Sequence, residues 1–169
     1  REEEPHIRHY VRISPSGMET KPTADDLTEM IAKLELSKAV PRDIHDMFEV
    51  AQGAMCFGSL FYPMFTLGHE QMWRVMEAAL ISRAEDLGAP SSARKSFSKV
   101  LSWLDQKDLL PPERIARWNA ARDMRNVSSH AKQQSLYDAT MAMRAVALAQ
   151  EFIDELYALD IPGANKEKS

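Results

Sequence analysis

The chain has 169 residues, 44% of them hydrophobic and 27% charged, with a formal net charge of −4. That is enough for one domain with its own core, and the composition is that of an ordinary globular protein. The acidity excludes a general nucleic-acid coat, and no apolar run approaches the roughly 18–20 residues that span a bilayer. The longest apolar stretch, Ala54–Leu67, is interrupted by Gly58 and Pro63.

The chain opens at Arg1 on an acidic, polar stretch, REEEPHIRHY, which lacks the pattern of a secretory signal and has no initiating Met. It reads as a processed or excised chain. The single cysteine, Cys56, cannot make an internal disulfide and fits a reducing, cytoplasmic setting. Its neighbours, AMCFGSLF, predict a buried, inert thiol. One cysteine without a nearby histidine gives no structural zinc site, so neither a metal nor a cofactor is expected.

Residues 1–23 form an N-terminal arm. HIRHYVRIS alternates apolar and polar residues, as a short strand or an extended segment does. Thr23 and Asp26 have the spacing of a capping box and predict the start of the first helix, with Leu27, Met30, Ile31 and Leu34 at helical period. Pro41 ends that helix or opens the second, which is predicted to run to Tyr62 with Ile44, Phe48, Ala51 and Met55 inward. Pro63 is read as a break. The third helix is predicted from Gly68 to Leu87, burying Met72, Trp73, Met76, Ala79 and Leu80, and stopped by Gly88 and Pro90.

The fourth helix opens near Ser92 and buries Phe97, Val100, Leu101 and Leu104. LLPP at 109–112 is a turn. The fifth helix starts at Pro112, carries Ile115, Trp118, Ala121 and Met124 inward, and runs into RNVSSH at 125–130. Ser135 and Asp138 have capping-box spacing and predict the start of the last helix. That helix carries Leu136, Met143, Val146, Ala149, Ile153 and Leu156, and stops before Pro162. The whole is an all-α antiparallel helical bundle over 24–161, with an irregular arm before it and a disordered tail at 162–169.

The segment around RNVSSH is locally basic. From Glu113 to Lys132, five cations (Arg114, Arg117, Arg122, Arg125 and Lys132) stand against Glu113 and Asp123. A positive patch is the minimum for gripping a phosphate backbone, although the same charges suit a solvated, ion-paired helix face. On an unbroken helix Asn126 and His130 share a face, while Arg125 lies ~140° from His130. A helix ending within SSH would bring Arg125 and His130 closer. The alternative role for His130 is that of a cation at a helix C-terminus.

RNVSSH resembles the Arg-polar-x(3–5)-His signature of the HEPN superfamily, the higher-eukaryote and prokaryote nucleotide-binding domain. SFSKVLSWLDQKDLLPPERIARWNAARDMRNVSSH is similar to the late part of that domain, and HEQMWRVMEAALISRAEDLG to one of its earlier helices; the resemblance covers roughly 41–160. It implies a helical bundle that pairs as a homodimer and acts as a metal-independent endoribonuclease in toxins, defence systems or RNA processing. Members that have lost activity serve as binding modules for RNA, nucleotide or a partner protein such as an antitoxin. Carried over, Arg125 and His130 match the active pair and Asn126 the polar residue after the arginine. Arg122, Arg117, Lys132, Arg74 and Glu77 are candidates for substrate binding and support. Ser128, Ser129 and Ala131 around the histidine depart from the apolar or aromatic neighbours frequent in the family. A third possibility, in which RNVSSH merely ends a helix of a scaffold protein, predicts Arg125 and His130 apart and ion-paired to neighbours.

Overall fold

The computed structural model describes residues 12–13, 19–20, 23–128 and 138–159. The described elements are β1 (Arg12–Ile13), β2 (Glu19–Thr20), α1 (Ala24–Ala32), α2 (Arg42–Phe57), α3 (Pro63–Asp86), a three-ten turn at Ala93–Lys95, α4 (Phe97–Gln106), α5 (Pro112–Ser128) and α6 (Ala139–Tyr157). The six helices form the bundle expected from the periodicity. In the arm, β1 pairs antiparallel with β2 through Arg12↔Thr20 and Ile13↔Glu19, which supplies a partner for the end of the strand read in HIRHYVRIS. The rest of that stretch and the 162–169 tail lie outside the described residues.

Helix α1 begins where its cap dictates. The Thr23 hydroxyl accepts from the Asp26 N–H at 3.2 Å, and the Asp26 carboxylate accepts from the Thr23 N–H at 2.8 Å. Two of the four orphan donors of a helix start are thereby satisfied. The C-terminal carbonyls of α1 are met from outside. The Gln52 side-chain amide, on α2, donates to Ile31 O at 2.6 Å and to Leu34 O at 2.7 Å.

Pro63 does not break the chain before a helix at Gly68; it opens α3 itself. A proline in the first helical turn forfeits an N–H that has no partner there, and its fixed φ suits the helix. Helix α2 correspondingly ends at Phe57, short of Tyr62. The α2–α3 hairpin is close-packed because Gly68 carries no side chain: a Cβ there would lie 2.4 Å from Met55 Cγ and 3.0 Å from Ala51 O. At the far end of α3, Gly88 takes φ +87 and closes the turn into the next segment.

The core is continuous, with Ile31, Ala51, Met55, Val75, Leu80, Val100, Leu104, Val146 and Ile153 sealed from solvent. Aromatic rings tie α4, α5 and α6 together: Trp118 packs edge-on against Phe152 at 4.8 Å between centroids and tilted against Phe97 at 5.7 Å. Met124 is a correction. The periodicity counted it inward, yet it is 56% exposed, because the inward stripe of α5 passes through Trp118 and Ala121 toward Arg125. The start of α6 is a second correction. Asp138 is extended and caps the helix, its carboxylate accepting from Met141 N–H at 2.8 Å, and α6 runs from Ala139 to Tyr157. Ser135 and Leu136 lie outside the described residues. Cys56 is half-buried, with its thiol 3.7 Å from Thr28 O; partial burial pushes the thiol pKa up, which keeps it protonated and poorly nucleophilic. Among the described residues no helix is long and apolar enough to cross a membrane.

Candidate functional site

The basic residues of α5 divide between two faces. Arg114 and Arg117 turn toward α6. Arg117 Nη2 lies 2.5 Å from Glu151 Oε1 and its Nη1 3.6 Å from Glu155, while Arg114 pairs with Glu155. The Arg117 guanidinium also sits over the Phe152 ring, 4.7 Å from its centroid. These pairs match residues 114 and 117 with 155 and 151 in opposite order, so α5 and α6 run antiparallel. They also neutralise much of the positive charge that α5 contributes.

Arg125 faces elsewhere. It follows Trp118 by seven residues, close to two helical turns, and so continues the stripe that packs inward. There its Nη2 lies 2.9 Å from Glu77 Oε2 of α3, with both side chains about one-quarter to one-third exposed. The structure thus brings together two of the residues singled out in the sequence. Arg74 is exposed one turn before Glu77 on α3. Arg122 is half-buried and forked onto the adjacent Asp123, with Nη2 at 2.9 Å and Nε at 3.2 Å. Asn126 is exposed. His130 and Lys132 lie outside the described residues.

Two buried ionisable groups were not marked by the sequence. His69, on α3, is 6% exposed and meets the Trp73 ring edge-on at 5.3 Å; burial lowers its pKa from 6.5 to about 4. Arg83 is 5% exposed and donates to the Leu159 carbonyl just past α6, with its guanidinium 5.3 Å from the Tyr157 ring. Burial in turn raises the Tyr157 pKa. Neither group carried a signal beyond helical position: each is one polar residue at an inward register of a long helix.

A shallow cleft of about 340 Å³ opens on α4, lined by Pro90, Ser98, Lys99, Ser102, Trp103 and Gln106. None of the described residues singled out around RNVSSH lines it. Among the described residues no group of three or more His, Cys, Asp or Glu side chains is arranged to hold a metal ion. No protein-family model, no curated protein and no solved structure matches this chain.

Proposed function

We propose that the chain is an endoribonuclease of HEPN type, metal-independent and cytoplasmic, in which Arg125 and His130 act on an RNA phosphodiester and Asn126 assists. The observation on which this reading rests is the ion pair at 2.9 Å between Arg125 and Glu77, which the scaffold reading of RNVSSH expects as well. A carboxylate from a neighbouring helix fixes the direction of the guanidinium and offsets part of its charge. The fixed cation sits on the last turns of α5, five residues before the imidazole of the motif.

The chemistry follows from the groups. RNA cleavage needs a base for the 2′-hydroxyl proton and an acid for the departing 5′ oxygen. An imidazole titrates near neutrality and can fill either role. A guanidinium binds the phosphate through two N–H donors and offsets the charge that builds in the transition state. One protomer supplies one such histidine. Two paired protomers would supply both proton-transfer roles, so pairing and activity would be linked.

A second reading is a HEPN-like module that binds RNA, nucleotide or a partner protein without cutting. It is favoured by the Arg114 and Arg117 pairs with Glu155 and Glu151, which spend candidate phosphate-binding cations inside the fold. Titration of end-labelled RNA in the presence of a chelator separates the two. The first reading expects product bands whose yield grows with time. The second expects a mobility shift with intact RNA. Neither binding nor product would remove the ribonuclease and the RNA-binding form of the second reading.

A further inference from the structure

The turn between α2 and α3 presents its apolar residues to solvent. Leu60 is 82% exposed, Phe57 62%, Phe61 61% and Tyr62 45%, with Leu67 at 53% one turn into α3. Isolated exposed apolar residues need no explanation, but a set gathered at one turn marks a contact surface. From Val50 to Gly68 the chain holds no formally charged residue. His69, which follows, is kept neutral at pH 7 by its burial.

Two features distinguish this turn from a surface made to meet a protein. The first is its hydrogen bonding. Gly58 N–H donates to Met55 O at 3.0 Å, and Leu60 and Phe61 N–H both donate to Phe57 O, at 3.0 and 2.9 Å. Met64 N–H donates to Phe61 O at 2.9 Å and Phe65 N–H to Tyr62 O at 3.1 Å. The Ser59 hydroxyl donates to Cys56 O at 3.0 Å, and Pro63 has no N–H to satisfy. A protein partner can supply hydrogen bonds across a contact, but hydrocarbon cannot, so a turn that meets lipid satisfies its donors internally. The second feature is the placement of charge. The nearest charged residues on the two helices are Glu49, eight residues before Phe57, and Glu70, eight after Tyr62. Each is set back about 12 Å along its helix. An interfacial segment sinks ~5–10 Å to the boundary between headgroups and acyl chains, so the tip reaches that depth with both carboxylates still in water. Asp25 and Asp26 open α1, which packs on α2 and α6 and, among the described residues, makes no contact with α3. Those carboxylates therefore lie across the bundle from the α3 side of the tip.

We propose that the α2–α3 tip is an interfacial anchor that inserts into the surface of a bilayer of zwitterionic lipid. It does not span the bilayer. Leu60 and Phe61 enter the acyl boundary. The Tyr62 ring, edge-on to the buried Phe65 ring at 5.7 Å between centroids, sits at headgroup level, where one end of an amphipathic ring is wet and the other apolar. Charge selects the lipid class. Glu49 and Glu70 flank the tip and the chain carries a net charge of −4, both of which disfavour an anionic surface. Attachment is therefore apolar and little affected by salt.

The anchor does not depend on the ribonuclease reading. None of Arg125, Glu77 and Asn126 belongs to the tip, and its hold on lipid is measured without RNA.

Flotation of the full chain with phosphatidylcholine vesicles tests the proposal. Wild type is compared with a double variant, Leu60→Glu with Phe61→Glu, and with Leu60→Trp. Both positions are exposed, and circular dichroism verifies that each variant keeps its helices. Wild type is expected to float at millimolar lipid, and the double variant to partition about 100-fold more weakly. Replacing about a third of the phosphatidylcholine by phosphatidylserine should weaken wild-type binding. In the Leu60→Trp protein, bromine atoms on the acyl chains should quench the added fluorescence, with the Trp73, Trp103 and Trp118 signal subtracted from wild type. A wild type that stays unbound overturns the proposal, as does a double variant that floats as well as wild type. Tighter binding to the phosphatidylserine vesicles, or a Leu60→Trp signal that bromine leaves unquenched, overturns it too. Sedimentation at twice the 19.2 kDa chain mass without flotation assigns the tip to a second copy instead.

Discussion

Acidification should destabilise this bundle through His69. The ring is 6% exposed against Trp73, and burial lowers its pKa from 6.5 to about 4. In the unfolded chain the imidazole takes a proton as pH falls through 6.5, while in the folded chain it resists until about pH 4. Over that window the unfolded state binds more protons, so stability decreases with falling pH. At 1.36 kcal/mol per pH unit, the loss from pH 7.5 to pH 5 is about 2 kcal/mol, and it approaches about 3 kcal/mol near pH 4. Urea denaturation at a series of pH values measures it. Other groups that titrate in this range contribute equally to wild type and to His69→Phe, so the difference between their pH profiles isolates the ring. The variant is expected to lose about 2 kcal/mol less than wild type between pH 7.5 and 5. Parallel profiles, or an NMR titration of the His69 ring centred near 6.5, would refute the reasoning.

Three further substitutions probe the contacts that shape the molecule. Arg83→Met should destabilise by roughly 2 kcal/mol, because the Leu159 carbonyl after α6 loses its donor and the Tyr157 ring loses its cation, partly offset by removing a buried charge; a chevron or urea midpoint checks it. Gly68→Ala should cost about 1–3 kcal/mol, since its Cβ would meet Met55 and the α2 backbone, whereas Gly53→Ala, with open space around it, should be neutral or stabilising. Glu77→Gln should lower thermal stability only slightly, about 1 kcal/mol or less for a partly exposed pair, but should reduce RNA cleavage by loosening Arg125; unchanged cleavage would separate the pair from the activity.

Much of the architecture is legible in the residues alone, because buried stripes at helical period leave a local record. Thr23 with Asp26, the Ile44–Phe48–Ala51–Met55 stripe and the Phe97–Val100–Leu101–Leu104 stripe all lie where their spacing puts them. The misreadings have local causes too. A proline can either stop a helix or start one, and at residue 63 it starts one. Capping spacing is satisfied by Ser135 with Asp138 as well as by Asp138 alone, and the aspartate is the cap. Met124 falls on an apolar period that Arg125 and Glu77 take over at the end of α5. The pairs that organise the candidate site are not written locally at all. Arg117 and Glu151 are 34 residues apart, and Arg125 and Glu77 are joined only because α5 crosses α3. The same basic run therefore reads in sequence as a free patch and in the fold as a partly neutralised one.

Whether Arg125 and His130 cleave RNA, as proposed, is decided by end-group analysis of the products. RNA incubated with chelator-treated wild-type protein should yield fragments ending in 2′,3′-cyclic phosphate and 5′-hydroxyl groups. Arg125→Ala and His130→Ala proteins with wild-type circular dichroism should yield none above background. Cleavage by both variants at the wild-type rate would exclude Arg125 and His130 from the chemistry.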